Sequence, residues 1–280
     1  MALRSYLHST FDPRRIPGLQ AWYDAADSAS ITLDAGRVSQ WSDKSGNARH
    51  ATNTTSGSTQ PSYTTAGRNG LNVVTFAAAS VQRLTVPSST ASFNFLHNGT
   101  DSLVIAVSRY ATVANPNAIY TLFGNCAGSS TNRGVFYAYE DRTAASANDG
   151  INCQTFAATL GQVVSSTISS GGAILSAYNG LLPAQSYLAQ EIVFSAANAT
   201  LDQRLRVRVD GGTEAAANVR NATASAGNAT FDLQIGTAGN NAIPLQGDIC
   251  ELMFFSQLPT AAARDLIRRY LGAKWGVTVA

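Results

Sequence analysis

The stretch Arg204–Gly212, RLRVRVDGG, decides the fold class. Leu205, Val207 and Val209 alternate with Arg204, Arg206 and Arg208, the period-2 pattern of a strand with one buried and one wet face. Asp-Gly-Gly then supplies the backbone freedom of a tight turn. The three arginines form one row. Either that row is a solvated strand face, where charge discourages edge pairing, or it meets an acidic partner through bidentate contacts.

The same vocabulary recurs on both sides of this stretch. Short apolar runs separated by turn clusters read LQAWYDA from Leu19, RVSQW from Arg37, LNVVTF from Leu71, RLTV from Arg83 and SLVIAVSRY from Ser102. They continue with AIYTLFG from Ala118, GVFYAYE from Gly134, YLAQEIVFSA from Tyr187, FDLQIG from Phe231 and ICELMFF from Ile249. Runs of this length, with no helical pattern between them, predict an all-β architecture of antiparallel strands. Composition agrees, because the 45% hydrophobic content leans on Ala and Val while Ser, Thr, Asn and Gly fill the polar positions.

The C-terminal end differs. PTAAARDLIRRYLGAKWG predicts one short helix with Ala263, Leu266, Ile267, Tyr270 and Leu271 on an apolar face and Arg264, Arg268 and Arg269 mostly opposite. Thr260 is its expected N-cap, and Trp275 its anchor on the sheet.

With 280 residues, 13% charged residues and a formal charge of +2, the chain can bury a large core and carries no global field for nucleic acid or an anionic membrane. Cys126, Cys153 and Cys250 stand at unrelated spacings without a CxxC pair, which reads as buried thiols. MALRSYLHSTFDPRRIPGLQ contains no apolar run of signal-peptide length, and no 18-residue apolar stretch follows, so soluble synthesis without membrane insertion is expected. Residues 1–15 read as an arm broken by Pro13, with Arg4, Arg14 and Arg15 as docking cations. Such an arm is either frayed or ordered against a partner.

QWSDKSGNARHATN, Gln40–Asn53, concentrates reactive side chains in a charge-poor chain. The physical account is structural: Trp41 anchors a strand end, Asp43 caps the turn, Gly46 and Asn47 suit positive φ, and Lys44, Arg49 and His50 face solvent. Asp24, Asp27, Asp43 and Asn47 also offer oxygen to Ca2+, but Asx side chains in turns more often bond backbone N–H groups, so no metal or other cofactor is expected.

Three segments together resemble the laminin-G-like members of the concanavalin A-like lectin and glucanase superfamily, in the form found in bacteriophage virion proteins and bacterial surface proteins. They are IPGLQAWYDAADSASIT from Ile16, GRVSQWSDKSGNARHATN from Gly36 with QPSY and GLNVVTF after it, and FDLQIGTAGNNAIPLQGDICELMFFSQLPTAAARDLIRRYLGAKWGV from Phe231. The resemblance implies a jelly-roll β-sandwich, one domain over residues 16–280 after the arm, closed by the C-terminal α-helix. The fold hosts lectins, glycosidases and structural modules alike.

A glucanase of this superfamily carries a Glu-x-Asp-x-x-Glu strand that sets two carboxylates about 5–5.5 Å apart for retention. No such segment occurs, nor a Gly-x-Ser-x-Gly elbow or His-Glu-x-x-His pair. A non-catalytic role is therefore expected. Tyr137 and Tyr139, spaced for one strand face, read either as a sugar-stacking platform or as a core or subunit contact. The resulting expectation is a bacteriophage virion protein: a capsid decoration, head-fibre or tail-associated module made in the host cytoplasm. It would bind other virion proteins, act as a homo-oligomer of trimeric form and touch host surface glycan. The alternatives are a stand-alone carbohydrate-binding lectin-like module and a polysaccharide-degrading enzyme.

Overall fold

The computed structural model describes residues 11–111, 119–127, 132–140, 150–157, 162–167, 186–200, 203–216, 224 and 227–279. Its strands are β1 (Leu19–Asp24), β2 (Ile31–Asp34), β3 (Arg37–Trp41), β4 (Ala51–Thr52), β5 (Ser62–Arg68), β6 (Leu71–Phe76), β7 (Leu84–Thr85), β8 (Ser102–Tyr110) and β9 (Ile119–Gly124). They continue as β10 (Arg133–Glu140), β11 (Gly150–Ala157), β12 (Gln162–Thr167), β13 (Leu188–Phe194), β14 (Leu205–Val209), β15 (Ala215–Ala216), β16 (Gln234–Ile235) and β17 (Gly247–Phe255). One α-helix, α1 (Ala261–Trp275), follows. The chain is thus a mostly antiparallel β protein with a single C-terminal helix among the described residues.

The strands form one continuous sheet, curled on itself as a half-barrel. One leaf runs β15–β14–β13–β8–β17, with β1 and β6 sharing the far edge of β17. The other runs β12–β11–β10–β9–β16–β7–β4–β3–β2. Strand β5 turns the corner, pairing with β6 and, through Arg37 opposite Ser62, with β3.

Register assigns the faces, since directly opposed residues project to the same side. Gln190, Ala106, Leu252 and Tyr23 lie on the inner side of the first leaf, and Glu191, Ile105, Met253 and Trp22 on its outer side. The inner side meets the second leaf through aromatic rings: Phe254 packs against Phe123 at 5.2 Å and Phe93 at 5.3 Å, and Tyr110 stacks on Tyr139 at 4.9 Å. Helix α1 covers part of the outer side. Its buried stripe is Ile267, Tyr270, Leu271, Lys274 and Trp275, whereas Leu266, expected inside, is half exposed. Thr260 Oγ1 accepts from Ala263 N–H at 3.2 Å, and Gly276 closes the helix with φ 61°, the left-handed value glycine adopts freely.

β17 carries a bulge. Ile249 opposes Ser108 and Glu251 opposes Val107, leaving Cys250 as the extra residue. Up to Ile249 the strand pairs with β6, and from Glu251 onward with β1. The extra residue also brings Asp248 and Glu251, three positions apart, to the same outer side.

Of the expected arm, Arg4 lies outside the described residues. Asp12 forks Arg14 at 2.8–3.0 Å and caps the 3-10 turn Pro13–Arg15, while Phe11 packs on Tyr270 at 5.0 Å. The described end of the arm therefore sits against α1.

Candidate functional site

Two polar constellations occupy the outer side of the first leaf, both built on β17. The first surrounds Glu251. Its Oε1 accepts from Trp22 Nε1 at 2.7 Å and Tyr270 OH at 2.9 Å, and its Oε2 from Trp275 Nε1 at 2.7 Å and Lys274 Nζ at 2.8 Å. Lys274 Nζ also donates to Asp24 Oδ1 at 2.5 Å, so one ammonium clamps two carboxylates that face each other across β1 and β17. Lys44 holds the other oxygen of Asp24 at 2.9 Å and Asp27 at 2.8 Å, with its ammonium 4.3 Å from the centre of the Trp22 ring.

Burial raises the Glu251 carboxyl above its ordinary range against the opposing pull of Lys274. Burial acts the same way on Asp24, but Lys274 and Lys44 outweigh it and hold that group low. With side-chain exposures of 6%, 1% and 2% for Asp24, Glu251 and Lys274, no substrate reaches this pair. Its geometry locks the helix to the sheet.

The second constellation is a rung across the sheet: Ser62, Thr75, Asp248 and Arg109 stand opposite one another on successive strands, with Tyr187 at the entrance to β13. Asp248 organises it. The carboxylate accepts from Arg109 Nε at 2.8 Å, Tyr187 OH at 2.7 Å and Thr75 Oγ1 at 2.8 Å, and pairs with Arg109 Nη2 at 2.6 Å. Arg68 and Arg109 lie 5.2 and 5.3 Å from the Tyr187 ring centre. Burial, then the Asp248 carboxylate, pushes the Tyr187 hydroxyl well up, so it remains a donor. Unlike the first cluster, this rung is open: Arg109 is 30% exposed, and Tyr187, Thr75 and Ser62 are partly exposed.

The residues expected to be functional fall elsewhere. Tyr137 and Tyr139 are fully buried on the inner side, where Tyr137 OH donates to Gln190 Oε1 at 2.6 Å and Tyr139 OH meets Ser108 Oγ at 2.5 Å. Burial pushes Tyr139 up to about 12, although Ser108 and Gln190 oppose it. These rings are core, and the sugar-platform expectation is corrected accordingly. Asp43 accepts from the backbone N–H of Trp22, Ser45 and Arg49 at 2.9, 2.8 and 3.0 Å and from Ser45 Oγ at 2.8 Å. Trp41 is buried 5.7 Å from Tyr23, Gly46 takes φ 97°, and Asn47 Nδ2 donates to Gln20 O at 3.0 Å. Lys44, Arg49 and His50 do not point to solvent: Arg49 donates to Gln20 Oε1 at 2.8 Å, and His50 Nδ1 accepts from Asp43 N–H at 3.1 Å. Of the acids offered to Ca2+, Asp24 pairs with Lys44 and Lys274 and Asp27 with Lys44, while Asp43 is taken up by backbone N–H groups, and among the described residues no group of three His, Cys, Asp or Glu is placed for a metal.

Sequence reasoning missed both constellations. Lys274 was legible in one respect: it continues the stripe of Ile267, Tyr270 and Leu271 at helical spacing. The rung had no local signal, because its members come from five separate segments and the bulge at Cys250 sets their side.

No family model matches the chain, and no curated protein does. Solved structures do. A mutant of Trypanosoma rangeli sialidase displaying trans-sialidase activity superposes with a TM-score of 0.52 at 11% identity over 99% of this chain and 38% of that one. An arabinofuranosidase complexed with arabinofuranosyl-α-1,2-xylobiose gives a TM-score of 0.50 at 15% identity over 94% and 60%. Domain 4 of an extracellular arabinanase from Geobacillus stearothermophilus, in complex with arabinotriose, gives 0.47 at 13% identity over 90% and 99%. The chain thus spans less than two thirds of the first two proteins. These findings overturn the virion-protein expectation, since the fold is shared with part of an arabinofuranosidase and part of a sialidase. The expectation of a non-catalytic chain falls on the same ground.

Proposed function

We propose that the chain is a carbohydrate-active domain of concanavalin A-like jelly-roll build that engages polysaccharide in the service of glycoside hydrolysis. The observation that carries this reading is the open rung of Tyr187, Arg109, Thr75 and Ser62 organised by buried Asp248. An aromatic edge beside hydroxyl and guanidinium donors suits a sugar, whose C–H faces pack on rings and whose hydroxyls bond to planar polar groups. Tyr187, Arg109 and Thr75 are each held by Asp248, so little of their side-chain entropy is lost when a sugar arrives. The fold shared with an arabinofuranosidase and a sialidase supports the same substrate class.

The test is direct. The purified chain is assayed for retention on arabinan and arabinoxylan, for reducing-sugar release from both, and for sialic acid release from sialyllactose. Retention or release is expected, with Tyr187→Ala weakening retention about tenfold, the loss of about 1.4 kcal/mol of contact. No retention and no release on any substrate refutes the reading.

A further inference from the structure

The arginine row of β14 is neither a simple solvated face nor a set of complete ion pairs. Register places Arg208 opposite Glu191 and Arg206 opposite Val193, on the outer side. Helix α1 brings two more guanidiniums to the same place: Arg268 Nη1 lies 2.6 Å and Arg264 Nη1 3.5 Å from Glu191. Glu214 is shared by Arg206 at 3.4 Å and Arg264 at 3.5 Å. Four guanidiniums thus gather around two carboxylates, leaving two positive charges uncompensated within the cluster. At its rim Asp265 pairs with Arg269 at 2.8 Å and reaches Arg268 at 3.5 Å, adding one carboxylate and one guanidinium, so the balance is unchanged.

The hydrogen bonding is as incomplete as the charge. The Nε–H groups of Arg206, Arg208, Arg264 and Arg268 are buried without an acceptor. Among the described residues the guanidinium of Arg208 makes no ion pair and no side-chain hydrogen bond, and three of the four pairs to glutamate are long, at 3.4–3.5 Å. Buried donors without acceptors are costly, and like charges gathered at low dielectric repel. A planar oxyanion would answer both, because a guanidinium fork matches a carboxylate bidentately.

We propose that Arg206, Arg208, Arg264 and Arg268 seat the carboxylate of an acidic sugar. This rests on the polysaccharide reading and gives it a substrate class. Tyr187, one residue before β13, and Glu191 within it are four residues apart, about 13 Å at the rise of an extended strand, which continued alternation puts on the same side. One glycan chain can therefore lie on the rung and the arginine seat together.

The probe is an oligogalacturonate, compared with its methyl ester, which keeps the sugar and removes the charge. Calorimetry on the wild-type chain should show at least tenfold tighter binding of the acid, a margin that falls with salt. Arg208→Gln, which removes a guanidinium that holds no carboxylate in place, and Arg206→Ala/Arg208→Ala should each shrink the margin while leaving ester binding intact. Equal binding of acid and ester, or an unchanged margin in both variants, overturns the acidic-sugar assignment. Sodium sulfate against sodium chloride at equal ionic strength reads the seat without any sugar. Sulfate should raise Tm in the wild type more than in Arg208→Gln, and an equal response overturns the seat. A sulfate response with no glycan bound overturns the acidic sugar and the polysaccharide reading but keeps the anion seat.

Discussion

Replacing Lys274 by Met removes the one ammonium that joins Asp24 to Glu251 while keeping a side chain of similar length and helix propensity. What remains is two carboxylates at 6% and 1% exposure, facing each other across two strands. Asp24 retains Lys44, and Glu251 retains the N–H groups of two tryptophans and the Tyr270 hydroxyl, so both keep hydrogen bonds but share less positive charge. Breaking a buried pair on one side costs about 3–5 kcal/mol, and the residual donors place this case toward the lower end of that range. For a chain of this size that corresponds to a fall in Tm of about 6–20 °C. The assay is thermal unfolding followed by near-ultraviolet circular dichroism, repeated from pH 7 to pH 4. Without Lys274 the Glu251 carboxyl, already raised by burial, moves further above its unfolded value near 4, while Asp24 loses part of the pull that holds it low. Stability tied to the protonated forms is then full below that value and lost as pH rises through the folded-state pKa. The deficit should therefore be largest at pH 7 and shrink toward pH 4. Adding Asp24→Asn and Glu251→Gln should recover much of the loss at pH 7. A cost below about 1 kcal/mol, or a deficit indifferent to pH and to the added amides, would show that the ammonium carries no such role.

Two further outcomes follow from other positions. Asp43→Ala leaves three backbone N–H groups without their acceptor and should cost about 3 kcal/mol in urea unfolding; a change within about 0.5 kcal/mol refutes the corner's role. Asp210→Asn should stabilise, because burial raises that carboxyl against the opposing Ala189 N–H and Arg68, so its ionised form is disfavoured in the fold above the unfolded pKa. Asn keeps the acceptor for Ala189 N–H and tolerates φ 51°; the expected gain is about 1–2 °C in Tm at pH 7, vanishing near pH 3.5, and a lower Tm at pH 7 sinks the idea.

The strands were legible where alternation or a long apolar run marked them, as at Leu205–Val209 and Gly247–Phe255. Strand β5 was not, because SYTTAGR is an exposed polar segment with Ala66 at φ 51°, held by its partners and not by propensity. Tyr137 and Tyr139 show the limit of periodicity: it puts both rings on one side, but which side faces the other leaf depends on Gln190 and Ser108, far away in sequence. The same limit hid the lock at Glu251, whose partner Trp22 is 229 positions distant. The arginine row was visible as a row. That Arg264 and Arg268 turn toward it required the placement of α1.

Strand β17, flanked by β8 on one side and by β1 and β6 on the other, is central to its leaf yet is synthesised after every other described strand. Until it arrives, β8 and β1 each present an unpaired edge, and the chain has been exposed for most of its synthesis. At about 5–20 residues per second that interval lasts on the order of 10–50 s. Closure then needs pairing between segments more than 200 residues apart, a slow, high-contact-order event. Yield from recombinant expression should therefore depend on holdase chaperones far more than native stability would suggest, and a C-terminal truncation that removes β17 should aggregate and not merely unfold.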